Sequence, residues 1–294
     1  MNYISKTKSL KRSYVGVLLL LILSLTSCDE NFMTRDVDPN LLPEFESKVA
    51  VFGVISPQLP TIDISLSSNV PIIGTQRDMH YGEKKVITDA TVKISDGIDE
   101  VILPYDSDML LYSILQESFP IVEGNTYTVN ITTQGGLQLT AKCTVPKANP
   151  IAEMELEQKA DFYSIRVIWN DKSGEENYYR VGAWVGELYD DGITQTTYWN
   201  ESYFDQYLFS DTNRDGEMLR AQSEYYGYKE TNSPLKAKLL TVDRNYYLYH
   251  KDLEYYWEVD DNPFAEPKNI YTNIEGDGIG MFGAFSETEL NSNN

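Results

Sequence analysis

Two cysteines and two histidines are all that the 294 residues supply of the side chains that most often ligate transition metals or act as nucleophile and base. So few cysteines exclude a disulfide-rich scaffold and a multi-cysteine zinc site. His80 and His250 lie far apart with no HxxxH spacing, so a histidine-built metal site or triad would need unusual partners. Neither a GxSxG nor an HExxH stretch occurs. Positive charge is also scarce, with 24 Lys and Arg against 45 Asp and Glu and a net charge of −21. An acidic surface repels phosphate, which excludes a generic nucleic-acid binder. What is present is apolar and aromatic side chain, 41% and 12% of the sequence, enough to build a core and too much for a disordered acidic tail. Length alone suggests about two domains.

The first thirty residues carry an address. Lys6, Lys8, Lys11 and Arg12 precede an apolar run over 15–25, which is too short to cross a bilayer as a helix. It ends in Leu25-Thr26-Ser27-Cys28, which looks like a bacterial lipobox, where small residues let the peptidase admit the backbone beside a lipidated thiol. Residues 1–27 therefore read as a lipoprotein signal peptide and Cys28 as the lipidation site; the alternatives are an ordinary secretory signal or an uncleaved anchor. Several acyl chains, at roughly 0.8 kcal/mol per buried methylene, hold a protein on a membrane where one would not. Cleavage removes four basic residues and no acidic ones, so the remaining 267 residues carry a net charge of −25. Residues 28–46 have little periodicity and read as a tether. The other thiol, Cys143, alternates in phase with Leu139, Ala141 and Val145, which places it in a core.

From residue 48 onward, short alternating apolar runs are broken by Pro, Gly, Asn and Asp. The runs at 49–55, 61–66, 91–95, 100–104, 127–133 and 138–145 read as strands, and 47–147 as an immunoglobulin-like β-sandwich. The break at 146–150 reads as a linker. Strands at 164–169, 178–185 and 194–198 open a second, Tyr-rich β domain over 148–294. Within it, Tyr246, Tyr249, Leu253 and Tyr256 or Trp257 recur at helical spacing over 244–259, with Asp243 placed to cap the start and Asn262-Pro263 to end the segment. His250 then sits on the helix flank. The fold class that results is mainly β, two sandwiches with one packed aromatic helix in the second. The glycines of 276–280 lack the strand-loop-helix context of a phosphate cradle and read as a tight turn.

Fifteen of the 22 tyrosines lie between Tyr178 and Tyr271. Aromatics at this density either line a carbohydrate- or peptide-binding face, with Trp184, Trp199 and Tyr203 as the candidates, or fill a sheet core. Asp211-Thr212-Asn213-Arg214-Asp215-Gly216 matches the opening of a calcium loop, with Asp211, Asn213 and Asp215 as side-chain ligands and Glu217 offering its carbonyl. Position 12 is Gln222, which cannot supply the bidentate carboxylate, and a plain polar β-turn is the alternative. No other cofactor is expected. Carboxylate pairs suited to hydrolysis have no specificity in a chain with 45 acidic residues.

The order of several motifs resembles the domain of unknown function 4249 family of Bacteroidetes lipoproteins. They are the lipobox, Val51-Phe52-Gly53, Asp89-Ala90-Thr91-Val92, Glu123-Gly124-Asn125-Thr126-Tyr127, the segment from Ala141 to Pro146, Trp169-Asn170-Asp171, Asn177-Tyr178-Tyr179-Arg180, Asn262-Pro263-Phe264-Ala265-Glu266-Pro267, Asn273-Ile274-Glu275-Gly276 and Gly278-Ile279-Gly280-Met281-Phe282-Gly283. The resemblance implies a surface-exposed outer-membrane lipoprotein encoded beside TonB-dependent receptors, and no activity. In that host, acidic residues behind the lipidated cysteine, here Asp29 and Glu30, resemble a surface-export signal. The expectation is a non-enzymatic accessory lipoprotein that works with a TonB-dependent transporter in nutrient capture. Its rivals are a surface-polymer hydrolase using a carboxylate pair and an adhesion or envelope-assembly module.

Overall fold

The computed structural model describes residues 47–69, 85–190, 192, 194–225, 233–259 and 269–292. Residues 1–27, Cys28 and the rest of the expected tether 28–46, His80 and residues 262–267 lie outside the described residues, as does the side chain of Trp257.

In chain order the strands are Val49–Ile55 (β1), Thr61–Ser68 (β2), Lys85–Val86 (β3), Thr91–Ser95 (β4), Glu100–Leu103 (β5), Tyr105–Asp106 (β6), Leu111–Leu115 (β7), Thr126–Thr132 (β8) and Gln138–Thr144 (β9). They continue with Ile151–Lys159 (β10), Phe162–Asn170 (β11), Tyr178–Asp190 (β12), Gln195–Ser202 (β13), Leu208–Ser210 (β14), Met218–Gln222 (β15), Leu235–Val242 (β16) and Gly278–Asn291 (β17). Among the described residues an α-helix, Arg244–Val259 (α1), stands between the last two.

One large sheet runs in the order β13-β12-β16-β17-β1-β2-β7-β6, with β14 also on β12 and β3 also on β2. A four-stranded sheet, β5-β4-β8-β9, faces one half of it and a three-stranded sheet, β10-β11-β15, faces the other. Alternation makes each half a sandwich. In the first, Val51, Ile62, Ile64 and Leu66 of the large sheet pack with Val92, Ile94, Val129, Ile131 and Leu139 of the small one. In the second, Tyr179, Val181, Ala183 and Leu239 pack with Ile165, Val167, Trp169 and Leu219. Each Val, Ile or Leu among them, fully buried, contributes about 1.5–3 kcal/mol. Cys143 belongs to the first core, in phase with Leu139, Ala141 and Val145.

The last strand joins the halves. Residues 278–284 of β17 pair in parallel with β1, and residues 285–291 pair antiparallel with β16. The chain passes from the first half to the second near 146–150, and β17 returns across that boundary to close the first sandwich. The reading of 276–280 as a turn is therefore corrected: only Gly276 lies before the strand, and β17 runs through the remaining glycines to Asn291. Glycines hide alternation, and from Met281 to Ala284 the strand is buried on both faces, Phe282 in the first core and Met281 with the cluster that includes Tyr246 and Tyr247, so no period-two pattern marks it.

Tyr127 behaves as the tyrosine of a sandwich corner. Its buried hydroxyl accepts the Val122 N–H at 2.8 Å and donates to the Pro120 carbonyl at 3.2 Å. Tyr112 does the same elsewhere, accepting from Ala90 N–H at 2.9 Å and donating to the Ile87 carbonyl at 3.1 Å.

Helix α1 lies on the outer face of the large sheet. Asp243 caps it, Oδ1 accepting the Tyr246 N–H at 2.9 Å and also the Ala284 N–H of β17 at 3.2 Å, so one carboxylate fixes the helix to the sheet. Tyr246 and Tyr247 are buried, Tyr247 stacking on Tyr178 at 4.7 Å between ring centres, while Tyr249 meets Phe52 at 5.9 Å. Of the expected pair Tyr256 or Trp257, Tyr256 is exposed and the Trp257 side chain lies outside the described residues, while Tyr247 adds to the buried stripe.

A candidate aromatic cleft beside the helix

Strand β12 sends Tyr179, Val181, Ala183 and Val185 into the core, so Tyr178, Arg180, Gly182 and Trp184 form its outward row. Helix α1 covers the Tyr178 end. Beyond it an open cleft of about 500 Å³ remains. Its floor is Arg180, Gly182 and Trp184 with Lys238 and Leu240 of β16 and Glu287 of β17. Its wall is the segment from Glu201 through Phe204 to Tyr207.

Gly182 shapes the floor by what it lacks. A Cβ there would stand 2.8 Å from Cη2 of Trp184, so the indole lies back along the strand over the glycine. Lys238, opposite Gly182 in the ladder, is held by Glu287 at 2.7 Å and Glu289 at 3.6 Å, and the Glu287 hydrogen bond raises its pKa. Arg180 donates from Nη1 to the Tyr246 hydroxyl at 2.5 Å and stands 5.4 Å from the centre of the Tyr207 ring. Burial raises the phenol pKa values of Tyr207 and Tyr246. Behind them His250 packs on Tyr246, ring centres 4.2 Å apart; burial, helped by the Arg180 charge, lowers its pKa to about 4. A buried neutral imidazole on the far side of a tyrosine is a packing residue.

The aromatic candidates divide. Trp184 and Tyr203 line the cleft. Trp199 lies on β13 opposite Gly186, outside the lining, and shares the Lys236 ammonium with Trp184, 4.3 Å and 5.4 Å from the respective ring centres. Arg180, Tyr207, Lys238 and Glu287 were not singled out from the sequence. Period-two alternation along β12 could have found Arg180, but Lys238 and Glu287 arrive through strand register that no local pattern reveals.

The acidic loop also folds into a definite arrangement. Asp211 and Asp215 are joined by Asp171, from the end of β11, with one carboxylate oxygen of each within 4.8 Å of the others. Asp171 accepts the Tyr179 hydroxyl at 2.6 Å and the Gly216 N–H at 2.8 Å; Asp211 accepts the Asn177 N–H at 2.9 Å, and Asp215 the Gly174 N–H at 2.8 Å. Asn213 takes the left-handed backbone conformation, φ 64°, that the turn requires. The Glu217 carbonyl accepts the Asp171 N–H at 2.8 Å. Burial first, then the charges of Asp171 and Asp215, raise the Asp211 pKa against the opposing Asn177 hydrogen bond. The three carboxylates form an all-oxygen set of the kind a hard cation takes, so Asp171, Asp211 and Asp215 are the residues that would hold calcium.

Among the described residues no helix is long and apolar enough to cross a membrane. No curated protein matches the chain. Among solved structures, it is similar at 12% identity to a chain described as "Cytokine receptor complex - Crystal form 1A", covering 82% of this chain and 94% of that one with a TM-score of 0.24. It is similar, also at 12% identity, to Escherichia coli alpha-2-macroglobulin activated by porcine elastase, covering 67% of this chain and 18% of that one with a TM-score of 0.22. The family model described as "Domain of unknown function (DUF4249)" matches residues 34–291, most of the chain, and the chain belongs to that family.

Proposed function

We propose that this chain is a non-enzymatic binding module, anchored by lipid on Cys28 to the outer membrane and exposed at the cell surface, which captures a sugar-containing nutrient for a TonB-dependent transporter. The observation that carries the reading is the Trp184 indole laid over Gly182 in the floor of an open cleft walled by Tyr203 and Tyr207. A sugar ring has an apolar C–H face and polar edges; a flat indole with hydroxyls and charges around it complements both at low entropic cost. Of the two carboxylates in the cleft, Glu287 is held in an ion pair with Lys238, which disfavours the hydrolase reading, since a paired carboxylate is poorly placed to give up or take a proton.

Calcium at Asp171, Asp211 and Asp215 belongs to the same proposal as a structural staple, favoured by the convergence of three carboxylates. The test of the binding role is a panel of oligosaccharides presented to the full-length lipidated protein in detergent. At least one should be retained by the wild type and lost by Gly182→Ala, whose new methyl group displaces the indole while leaving the melting temperature nearly unchanged. Retention by both proteins alike would end the proposal. Capture of a transporter from native outer membranes tests the partner, and its absence under conditions that preserve other outer-membrane complexes would remove that half of the reading.

A further inference from the structure

Arg180 is the cation of the cleft that has no carboxylate within ion-pair distance among the described residues, whereas Lys238 has two. Its contacts are a neutral phenol, the Tyr246 hydroxyl, and the ring of Tyr207. A guanidinium offers five N–H donors in a planar fork that matches a carboxylate, and the phenol uses one. In a chain with 45 acidic side chains for 24 basic ones, a half-buried arginine left without an acid runs against composition, and partial desolvation without a counter-charge is costly. The other half-buried arginine among the described residues, Arg166, by contrast holds Glu155 and Glu157, each at 2.8 Å.

Placement adds direction. Arg180 and Trp184 occupy one outward row of β12 on either side of Gly182, and the indole reaches back over that glycine. From Gly182 to Arg180 is one pair of strand residues, about 6.6 Å along the backbone, so Arg180 is the next outward residue beyond the glycine that the indole covers. Glu201, opposite Trp184 in the ladder, and the ion-paired Glu287 keep the rest of the cleft unfavourable to anions.

We infer that the ligand of this cleft carries one carboxylate, as a terminal hexuronate sugar does, and that Arg180 receives it while the adjoining ring stacks on Trp184. The inference rests on the reading of the cleft as the binding site. A single acid group fits better than a polyanion, because a net charge of −21 repels repeated charge beyond the reach of one arginine.

The experiment measures the affinity of the full-length protein for matched pairs, each a neutral oligosaccharide and its counterpart oxidised at the terminal C6 to the uronate. The uronate should bind about tenfold or more tightly than its neutral partner, the scale of a charge-assisted hydrogen bond. Arg180→Met should bring the uronate down to the neutral affinity, and Arg180→Lys, which keeps the charge but not the fork, should keep part of the preference. Trp184→Ala should weaken both members together. Tyr246→Phe removes the same phenol contact as Arg180→Met without removing the guanidinium, and should keep the uronate preference. Equal binding of the two members by the wild type, a preference that survives Arg180→Met, or a preference lost equally in Tyr246→Phe would each overturn the inference. Loss of the preference with neutral binding retained leaves the cleft reading intact; no binding by any pair, or none altered by Trp184→Ala, takes down the cleft reading and this inference with it.

Discussion

Gly280 is where a single methyl group should do the most damage. It sits in β17 at φ 112°, paired with Val51 of β1, and a Cβ there would stand 1.9 Å from the Val51 carbonyl oxygen and 2.9 Å from its carbon. Ordinary contact needs more than 3 Å, so Gly280→Ala must push the two strands apart by over 1 Å in a core that holds Val51 and Phe282. Backbone strain alone costs about 1–3 kcal/mol. Lost ladder hydrogen bonds add about 0.5–1.5 kcal/mol each, and the opened core adds more, for a total on the order of 4 kcal/mol against a whole-domain stability of about 5–15 kcal/mol. Gly97 is the control, since it has φ 91° but nothing within 4 Å of its Cβ position, and Gly97→Ala should cost only about 1 kcal/mol. The assay is urea unfolding followed by tryptophan fluorescence. All four tryptophans, at 169, 184, 199 and 257, belong to the second half of the chain, whereas the clash is in the sheet of the first. If β17 couples the halves, Gly280→Ala shifts the tryptophan transition strongly to lower urea. An unmoved transition, or one moved no more than by Gly97→Ala, would refute the account of β17.

Three further outcomes follow from single groups. Tyr127→Phe leaves the Val122 N–H without its acceptor and should cost about 1–3 kcal/mol in urea unfolding; a loss under 0.5 kcal/mol would show that the corner does not depend on the hydroxyl. Burial raises Asp243 to about 7, so the folded state keeps this proton to higher pH than the unfolded chain does, and the associated stability, about 4 kcal/mol for some three pKa units, is lost as pH rises from about 4 through 7. His250, lowered to about 4, acts in the opposite sense, its contribution being lost as pH falls from 6.5 toward 4. Asp243→Asn keeps an acceptor for the Tyr246 N–H and removes the first effect, so its stability should rise from pH 4 to 6.5 and stay level to 7; a profile that parallels the wild type would contradict the assignment. Millimolar calcium should raise the melting temperature by several degrees, magnesium should not, and Asp215→Asn should abolish the response; no shift in the wild type would leave the three aspartates as a hydrogen-bonded turn.

Where side chains alternate, the sequence was easy to read. β1 and β4 fall on the expected residues, the Cys143 face is as expected, and α1 spans the expected 244–259 with Asp243 at its cap. Where a strand is glycine-rich and buried on both faces, as β17 is from Met281 to Ala284, the pattern vanishes and a turn is the natural misreading. The cleft was legible only in part. Trp184 and Tyr203 announce themselves by aromatic density, but Lys238 reaches Gly182, and Glu287 reaches Lys238, through partners some 50 residues away. Asp171 joins Asp211 and Asp215 for the same reason, since β11 and β15 are neighbours in space only. Asn177, Tyr179 and Arg180, quoted in the family motif as a string, turn out to do separate work: Asn177 and Tyr179 tie down the acidic loop, while Arg180 faces the cleft.

The central claim, that ligand enters the cleft beside α1, is tested most directly by hydrogen–deuterium exchange on the full-length protein with and without the best-retained oligosaccharide. The floor strands already exchange slowly within the sheet, so the account predicts that new protection concentrates in the wall, residues 201–207. Protection confined to the four-stranded sheet, residues 91–103 and 126–144, with the wall unchanged, would contradict it.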